Sequence, residues 1–470
     1  MHLPSYKEAK IRGKKTYDRE VYKTRAKYKD IYKSKKYFLK TYGCQMNEHD
    51  SENIEALLEE LGLIKVLDYN DADILLLNTC SIRENAHNKA YGMLGRFKHL
   101  KETKKDIVIG LCGCMAQEEG VINDLLNTYK YVDFVFGTNN LEQLPSLLYK
   151  TITTKERVIE VNSITNTIVE DIPIKRSNTY KAYVNIIYGC DKFCTYCIVP
   201  FTRGEQRSRK KEDIINEIVD LVSKGYKEVT LLGQNVNAYG KDLYDDYGLG
   251  ELLEEVANTN IPRVRFMTSH PWDFTERMID IISKYKNIMP SIHLPVQSGS
   301  NKVLKLMGRR YTKESYLELV KQIKEKIPNV SLSTDIIVGF PNERKEDFNE
   351  TLALVNLVKY DNAYTFIYSK RENTPAAKLE DNIPKEEKER RLYKLNEVVN
   401  KYFKENNLLL LNKTVKVLTE GTSSKSNNYF GYTESNKLVN FTGNNINIGD
   451  IVNVKITNAK TWSLDGEVNE

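Results

Sequence analysis

The stretch Tyr188-Gly189-Cys190-Asp191-Lys192-Phe193-Cys194-Thr195-Tyr196-Cys197 carries three cysteines, with three residues between the first pair and two between the second. It ends a predicted strand, Tyr183–Tyr188, the first of six in the middle of the chain. An iron–sulfur cluster normally takes four thiolates, and a zinc ion four ligands of sulfur or nitrogen. No fourth cysteine lies close by, so a cluster on this stretch keeps one iron open. An open iron is what a reaction centre needs and a structural site does not.

Downstream, strand-like runs recur at Val229–Leu232, Val264–Met267, Ile292–Leu294, Leu332–Val338 and Ala363–Tyr368. Helical stretches separate most of them, clearest at Asp213–Ser223, Lys313–Lys326 and Lys345–Lys359. Six repeats are fewer than the eight of a closed barrel. A partial (β/α)6 barrel over 181–411 is therefore expected, closing on a charged helix, Pro384–Leu411, that reads as a solvated connector.

Upstream, strand and helix also alternate, which implies a parallel sheet with crossover helices over 36–150. Three cysteines fall just past predicted strands: Cys44 after Lys36–Tyr42, Cys80 after Ile74–Leu77, and Cys114 after Ile107–Leu111. Ligands gather at the carboxyl edge of such sheets, so the fold would bring these thiols together as a second three-cysteine site. Cys112, placed at the end of its strand, reads as an inert core thiol.

Residues 151–180 are polar and read as a linker. Residues 412–470 change character, with short β-rich runs at Thr414–Leu418, Leu438–Phe441 and Ile451–Ile456 between Gly and Asn turns. Small β-barrels of this kind often bind RNA. Tyr429, Phe430, Tyr432, Phe441 and Trp462 are available there for base stacking or for a core. The expected class is thus α/β: a parallel α/β sheet domain, a partial barrel and a small all-β barrel.

The chain has 470 residues and a formal net charge of +6. Residues 1–36 hold thirteen Lys and Arg against four Asp and Glu, so the other 434 residues sum to −3. With Tyr6, Tyr17, Tyr22, Tyr28 and Tyr32 interleaved, this basic leader (1–35) has the composition to bind a polyanion such as RNA, or to stand as a solvated arm. Neither a run of eighteen apolar residues nor a signal-peptide pattern is present, so a soluble, cytoplasmic protein without membrane contact is expected. Seven cysteines in that setting argue for metal or redox use rather than a disulfide framework.

Cys190-x3-Cys194-x2-Cys197, with Tyr196 before the last cysteine, resembles the signature of the radical S-adenosylmethionine (SAM) superfamily. The resemblance implies a [4Fe–4S] cluster whose open iron takes the amino and carboxylate groups of SAM and whose electron cleaves it to a 5′-deoxyadenosyl radical. Polar groups at the ends of barrel strands would line that site. The candidate SAM contacts are Tyr196, Gln234, Asn235, His293, Gln297, Ser298 and Asp335. In the loop Pro200–Arg209, Arg203, Arg207 and Arg209 would steer a phosphate-bearing RNA substrate toward the iron.

Taken whole, residues 36–470 resemble the radical-SAM methylthiotransferases, which join a three-cysteine N-terminal domain, a radical-SAM core and a C-terminal TRAM domain. The similarity rests on Thr41–Asn47, on Asn78-Thr79-Cys80-Ser81-Ile82-Arg83-Glu84-Asn85-Ala86, on Gly113–Gln117, on Gly189–Arg209 and on Leu231–Asn237. The run after Cys80 is most similar to the branch acting on N6-dimethylallyladenosine in tRNA. The resemblance implies an auxiliary [4Fe–4S] cluster on Cys44, Cys80 and Cys114, and SAM as both methyl donor and radical source. It also implies an electron donor such as flavodoxin or ferredoxin, a sulfur source, and a tRNA with a prenylated adenosine beside the anticodon. The chain departs from the family at Glu205 and Gln206, where a basic residue and a glutamate are frequent, and at Tyr432, where arginine is usual. Two other readings keep part of the pattern: methylthiolation of a ribosomal-protein aspartate or of threonylcarbamoyl-adenosine, and a non-catalytic RNA-binding protein whose cysteines hold zinc.

Overall fold

The computed structural model describes residues 17–23, 26–81, 84–162, 167–423 and 428–468. Tyr6, with the rest of residues 1–16, and Ile82 and Arg83 of the run after Cys80 lie outside the described residues.

The N-terminal part is a six-stranded sheet in the spatial order Ile64–Lys65, Lys36–Tyr42, Ile74–Thr79, Val108–Gly113, Phe134–Phe136 and Val158–Glu160. Every neighbouring pair is parallel. The second strand in sequence, Ile64–Lys65, lies outside the first, so the chain reverses its direction of travel across the sheet between Lys36–Tyr42 and Ile74–Thr79. Such a switch point opens a crevice at the carboxyl edge. Ile74–Thr79 is buried along its whole length, as expected for a central strand covered on both faces. The aliphatic and aromatic residues of the helices Gln45–Glu60 and Leu144–Thr154 cover one face, and those of Glu84–Thr103 and Glu119–Asn127 the other.

The segment 151–180, expected as a linker, supplies the sixth strand of this sheet and then a second one, Thr167–Glu170, that pairs in parallel with Asp18–Val21 of the leader. The leader's tyrosines are also used. Tyr28 and Tyr32 are buried in the core of the sheet domain, and the Tyr17 hydroxyl donates to Glu205 at 3.0 Å. The described part of the leader is therefore a structural seal, and these rings are not free for bases.

The central part is a partial (β/α)6 barrel. Lys181–Asn185, Glu228–Leu232 and Arg263–Phe266 form one parallel triplet; Ser291–His293, Ser331–Val338 and Asn362–Ile367 form another. Backbone bonds between Val264 and the turn Asn287–Met289 join the two. The first predicted strand is broken at Ile186: Ile187–Tyr188 leaves the barrel to pair with Arg207–Ser208, which closes the loop bearing the three cysteines.

Helix Lys385–Leu408 is not a solvated connector. Leu395, Val399, Tyr402 and Phe403 are buried in the barrel's core cluster. Its charged pattern conceals Arg391, buried against Glu343 at 2.8 Å, and Lys388, buried against Asp381 at 2.6 Å. The last part is a closed five-stranded barrel in the order Thr414–Thr422, Asn428–Thr433, Leu438–Thr442, Leu464–Val468, Ile451–Ala459. Phe441 is in its core, whereas Trp462 is 72% exposed. This barrel sits against the amino ends of the large barrel's strands. Lys437 pairs with Asp361 at 2.8 Å, and the Tyr180 hydroxyl donates to the Glu420 carbonyl at 3.1 Å.

Candidate functional site

Both cysteine sets lie at carboxyl strand ends. Cys44, Cys80 and Cys114 follow three adjacent strands that flank the switch point. Asn78 ties their loops together: its Nδ2 donates to the Asn47 carbonyl at 2.8 Å and to Ser51 Oγ at 2.9 Å. Gly113, at φ +91°, lets the third loop pass so closely that an added Cβ would stand 2.3 Å from Asn78 Oδ1. A hydrogen bond from Cys80, helped by the charge of Arg203, outweighs burial and brings the Cys44 thiol down to about 5. Cys114 goes the other way, because its complete burial outweighs the same cation. Cys112 is buried in the core, and burial raises its pKa well above a free thiol's, as an inert role requires.

The stretch Cys190–Cys197 is pinned from three sides. Cys190 N–H donates to the Gly204 carbonyl at 3.2 Å, Thr195 N–H to Met307 at 2.9 Å, and Ala376 N–H to Thr195 at 2.8 Å. Burial raises the Cys190 thiol and, with Cys194 beside it, pushes Cys197 up to about 12. Arg309 Nη1 lies 3.4 Å from Cys194 Sγ, and the Lys192 amide the same distance from Cys190 Sγ. These donors would stabilise thiolates formed on metal binding. The sequence carries no sign of Arg309's role: a cation two turns beyond Ser300 gives no local indication that it returns to the cysteine loop.

Among the described residues no three His, Cys, Asp or Glu side chains are placed to hold a single metal ion. Each set gathers thiol donors beside a cation, Arg203 at one and Arg309 at the other, an environment that suits a group bound through thiolates.

The candidate SAM residues are distributed around the same rim. Asn235 Nδ2 donates to Asp273 at 2.7 Å, while its buried Oδ1, like Ser269 Oγ in the loop after the next strand, meets no hydrogen-bond partner among the described residues. Such orphaned polar atoms suit a polar ligand. Gln234 Nε2 contacts Met46 Sδ of the sheet domain at 2.7 Å. His293 bonds Ser333 through Nδ1 at 2.9 Å and faces Asp335 through Nε2 at 3.5 Å. Gln297 takes φ +71° and bonds through its backbone to Asp335 and Ile337. Tyr196 packs edge-on against Phe340. Ser298 is fully buried and its hydroxyl serves Thr351 and the Ser300 amide, so it shapes the loop from behind.

Arg203, Arg207 and Arg209 are all buried where the domains meet. Arg203 pairs with Asp50 and Cys114, Arg209 with Glu170 and Glu217, and Arg207 reaches Asn139. The charge of Arg203 and Arg209 is spent on carboxylates inside the protein, which leaves little of it to draw in a phosphate. Reading the loop alone does not reveal this, because Asp50 and Glu170 come from segments 153 and 39 residues away.

Residues 36–137 match the uncharacterized protein family UPF0004, residues 184–355 the Radical SAM superfamily, and residues 409–468 the TRAM domain. Among solved structures, the radical SAM methyltransferase TsrM from Kitasatospora setae superposes with a TM-score of 0.53 at 14% identity, covering 73% of this chain and 77% of that one. The cobalamin-dependent SAM radical enzyme OxsB does so with a TM-score of 0.50 at 13% identity, over 78% of this chain and 56% of that one. At such identities the likeness is one of fold. Sequence similarity reaches further. The tRNA-2-methylthio-N(6)-dimethylallyladenosine synthase of Staphylococcus epidermidis is 55% identical over 98% of this chain and 91% of its own length. Those of Staphylococcus haemolyticus and Staphylococcus aureus are 54% identical over 99% and 98% of this chain. With identity of that degree along nearly its whole length, over the same three parts, the chain belongs to the radical-SAM methylthiotransferase family, among the tRNA-2-methylthio-N(6)-dimethylallyladenosine synthases.

Proposed function

We propose that this chain transfers a methylthio group to carbon 2 of N6-dimethylallyladenosine beside the anticodon of tRNA. The 55% identity with a synthase of that name over 98% of the chain carries the reading. Cys190, Cys194 and Cys197 would hold the cluster that cleaves SAM to a radical, and Cys44, Cys80 and Cys114 the auxiliary cluster that furnishes sulfur. The chain's own residues do the rest. Arg309 and Arg203 place a cation against each thiol set. His49, Asn185, Glu52, Arg176 and Glu217 lock the sheet domain to the first barrel strand and its helix. Asn235, Ser269, Gln234 and His293 offer polar atoms to SAM at that rim. An electron donor such as flavodoxin or ferredoxin and a sulfur source complete the reaction.

The test is anaerobic reconstitution with SAM, a reductant, sulfide and tRNA carrying the prenylated base, followed by nucleoside mass spectrometry. The 2-methylthio nucleoside and about eight irons per chain are expected, for two four-iron clusters. A product on any other substrate, or none on this tRNA, overturns the reading.

A further inference from the structure

Trp272 is one of two tryptophans in the chain, and it is 46% exposed. A tryptophan usually buries most of its large apolar surface. Here it projects from the loop after the third barrel strand, Arg263–Phe266, on the rim that holds the cysteine loop. Lys192, which lies between Cys190 and Cys194, places its Nζ 4.4 Å from the centre of the indole, and the Arg310 guanidinium lies 5.1 Å from it. Arg310 is exposed and meets no carboxylate among the described residues.

The turn that carries the ring is tied at several points. It sits in the short 3-10 turn Pro271–Asp273, whose Trp272 amide donates to His270 Nδ1 at 3.3 Å. Asn237 grips His270 from both sides, accepting from its amide and donating to its carbonyl, each at 2.8 Å. Asp273, 2% exposed, anchors the turn from below: Lys192 bonds it at 2.9 Å and Lys241 at 2.6 Å. One buried carboxylate thus faces two cations, Lys192 and Lys241, while Arg310 over the ring meets no carboxylate among the described residues, and the excess charge around the ring is positive.

An indole edged by guanidinium and ammonium groups is a surface on which an unpaired nucleobase stacks while neighbouring phosphates meet the cations. We infer that Trp272, with Lys192 and Arg310, is a stacking platform for an unpaired nucleoside of the RNA loop that carries the target adenosine. This rests on the proposed tRNA activity and names where that loop is gripped. A paired stem offers no free base face, so the platform selects a loop over a duplex.

The test uses the full-length reconstituted protein bearing Trp462→Phe, which leaves Trp272 as the lone tryptophan. The probes are a stem-loop RNA with the prenylated adenosine in its loop and a fully paired duplex of equal length. Stem-loop binding is expected to quench the Trp272 emission, and the duplex to leave it unchanged. Trp272→Ala in the otherwise native chain is expected to weaken stem-loop binding about tenfold or more, with Trp272→Phe retaining most of it and Arg310→Gln lowering the salt dependence. Unchanged emission, equal quenching by the duplex, or native affinity in Trp272→Ala would overturn the platform. If the native chain bound no stem-loop, the tRNA reading itself would fall first.

Discussion

Arg203 Nε stands 3.1 Å from Cys114 Sγ, and its Nη2 is 2.7 Å from Asp50. Arg203 lies six residues beyond Cys197, so the segment that carries one thiol set reaches into the other. Both partners are buried, and burial alone raises the Asp50 carboxyl while Arg203 pulls it down. Removing the cation in Arg203→Leu leaves a buried carboxylate unpaired, at a cost of about 3–5 kcal/mol. It also removes the hydrogen bond to Cys114 Sγ, which would lower the potential of the proposed auxiliary cluster. Denaturant unfolding and an EPR-monitored redox titration check both effects. Native stability with a native potential would contradict the assignment.

The two thiol sets are expected to act separately in cofactor loading. Cys44→Ala/Cys80→Ala/Cys114→Ala should keep about four irons, half of the full load, and still cleave SAM. It should form no methylthio nucleoside. Cys190→Ala/Cys194→Ala/Cys197→Ala should keep the other half and cleave no SAM. Iron analysis and 5′-deoxyadenosine release are the measurements, and an iron content that stays full in either variant refutes the pairing of thiols with clusters.

Gly189 opens the radical loop at φ +64°, and a Cβ there would lie 1.9 Å from the Glu205 carbonyl oxygen. The atoms it would meet are all backbone of Gly204 and Glu205, which cannot swing aside, so Gly189→Ala should displace Cys190 and lose the iron of that set. Gly225 is the control: its φ is +83° but an added Cβ meets nothing within 4 Å. Gly225→Ala should cost only the left-handed strain, about 1–2 kcal/mol, with full iron content.

The gathering of the thiols at carboxyl strand ends is legible in the sequence because cysteine spacing and strand ends are local features. The six barrel strands and the three strand-end thiols followed from runs of apolar residues. Charged residues were read less well. Arg391, Lys388, Arg203 and Arg209 looked like solvent-facing charge, since burial depends on partners such as Glu343 and Asp50 that lie 48 and 153 residues away in sequence. The burial of the leader's Tyr28 and Tyr32 is hidden for a similar reason: an interleaved basic pattern says nothing about the sheet domain against which these rings pack.

His49 provides a pH test of the domain junction. Burial, with Arg176 nearby, lowers it to about 3, and Asn185 Nδ2 meets its Nδ1 at 3.1 Å. The ring is neutral when folded but takes a proton near pH 6.5 when unfolded. Stability from this residue is therefore complete above about pH 6.5 and falls as pH drops toward 3, by about 1.4 kcal/mol per unit. Glu217 facing the ring opposes the shift, and Arg203 and Arg209 reinforce it. Between pH 7.5 and 5 the native chain should lose about 2 kcal/mol more than His49→Gln, by the same linkage. Parallel curves for the two proteins in denaturant titrations would exclude a neutral buried His49.

Arg263, 2% exposed, is the main peg of the small barrel: its Nη1 donates to the Tyr432 carbonyl at 3.0 Å and its Nη2 to the Lys416 carbonyl at 3.1 Å. Arg265 adds bonds to the carbonyls of Thr433 and Glu434 at 2.7 and 3.0 Å. Arg263→Met leaves two interface carbonyls without donors, at about 1–3 kcal/mol. Because this interface lies at the amino ends of the strands, opposite both thiol sets, the loss should be confined to docking. Hydrogen exchange should rise in Thr414–Thr422 and Asn428–Thr433, tRNA affinity should fall, and SAM cleavage without tRNA should stay at the native rate. A drop in SAM cleavage to match the drop in tRNA affinity would mean that the two ends of the barrel are mechanically coupled, against the separation that the strand directions imply.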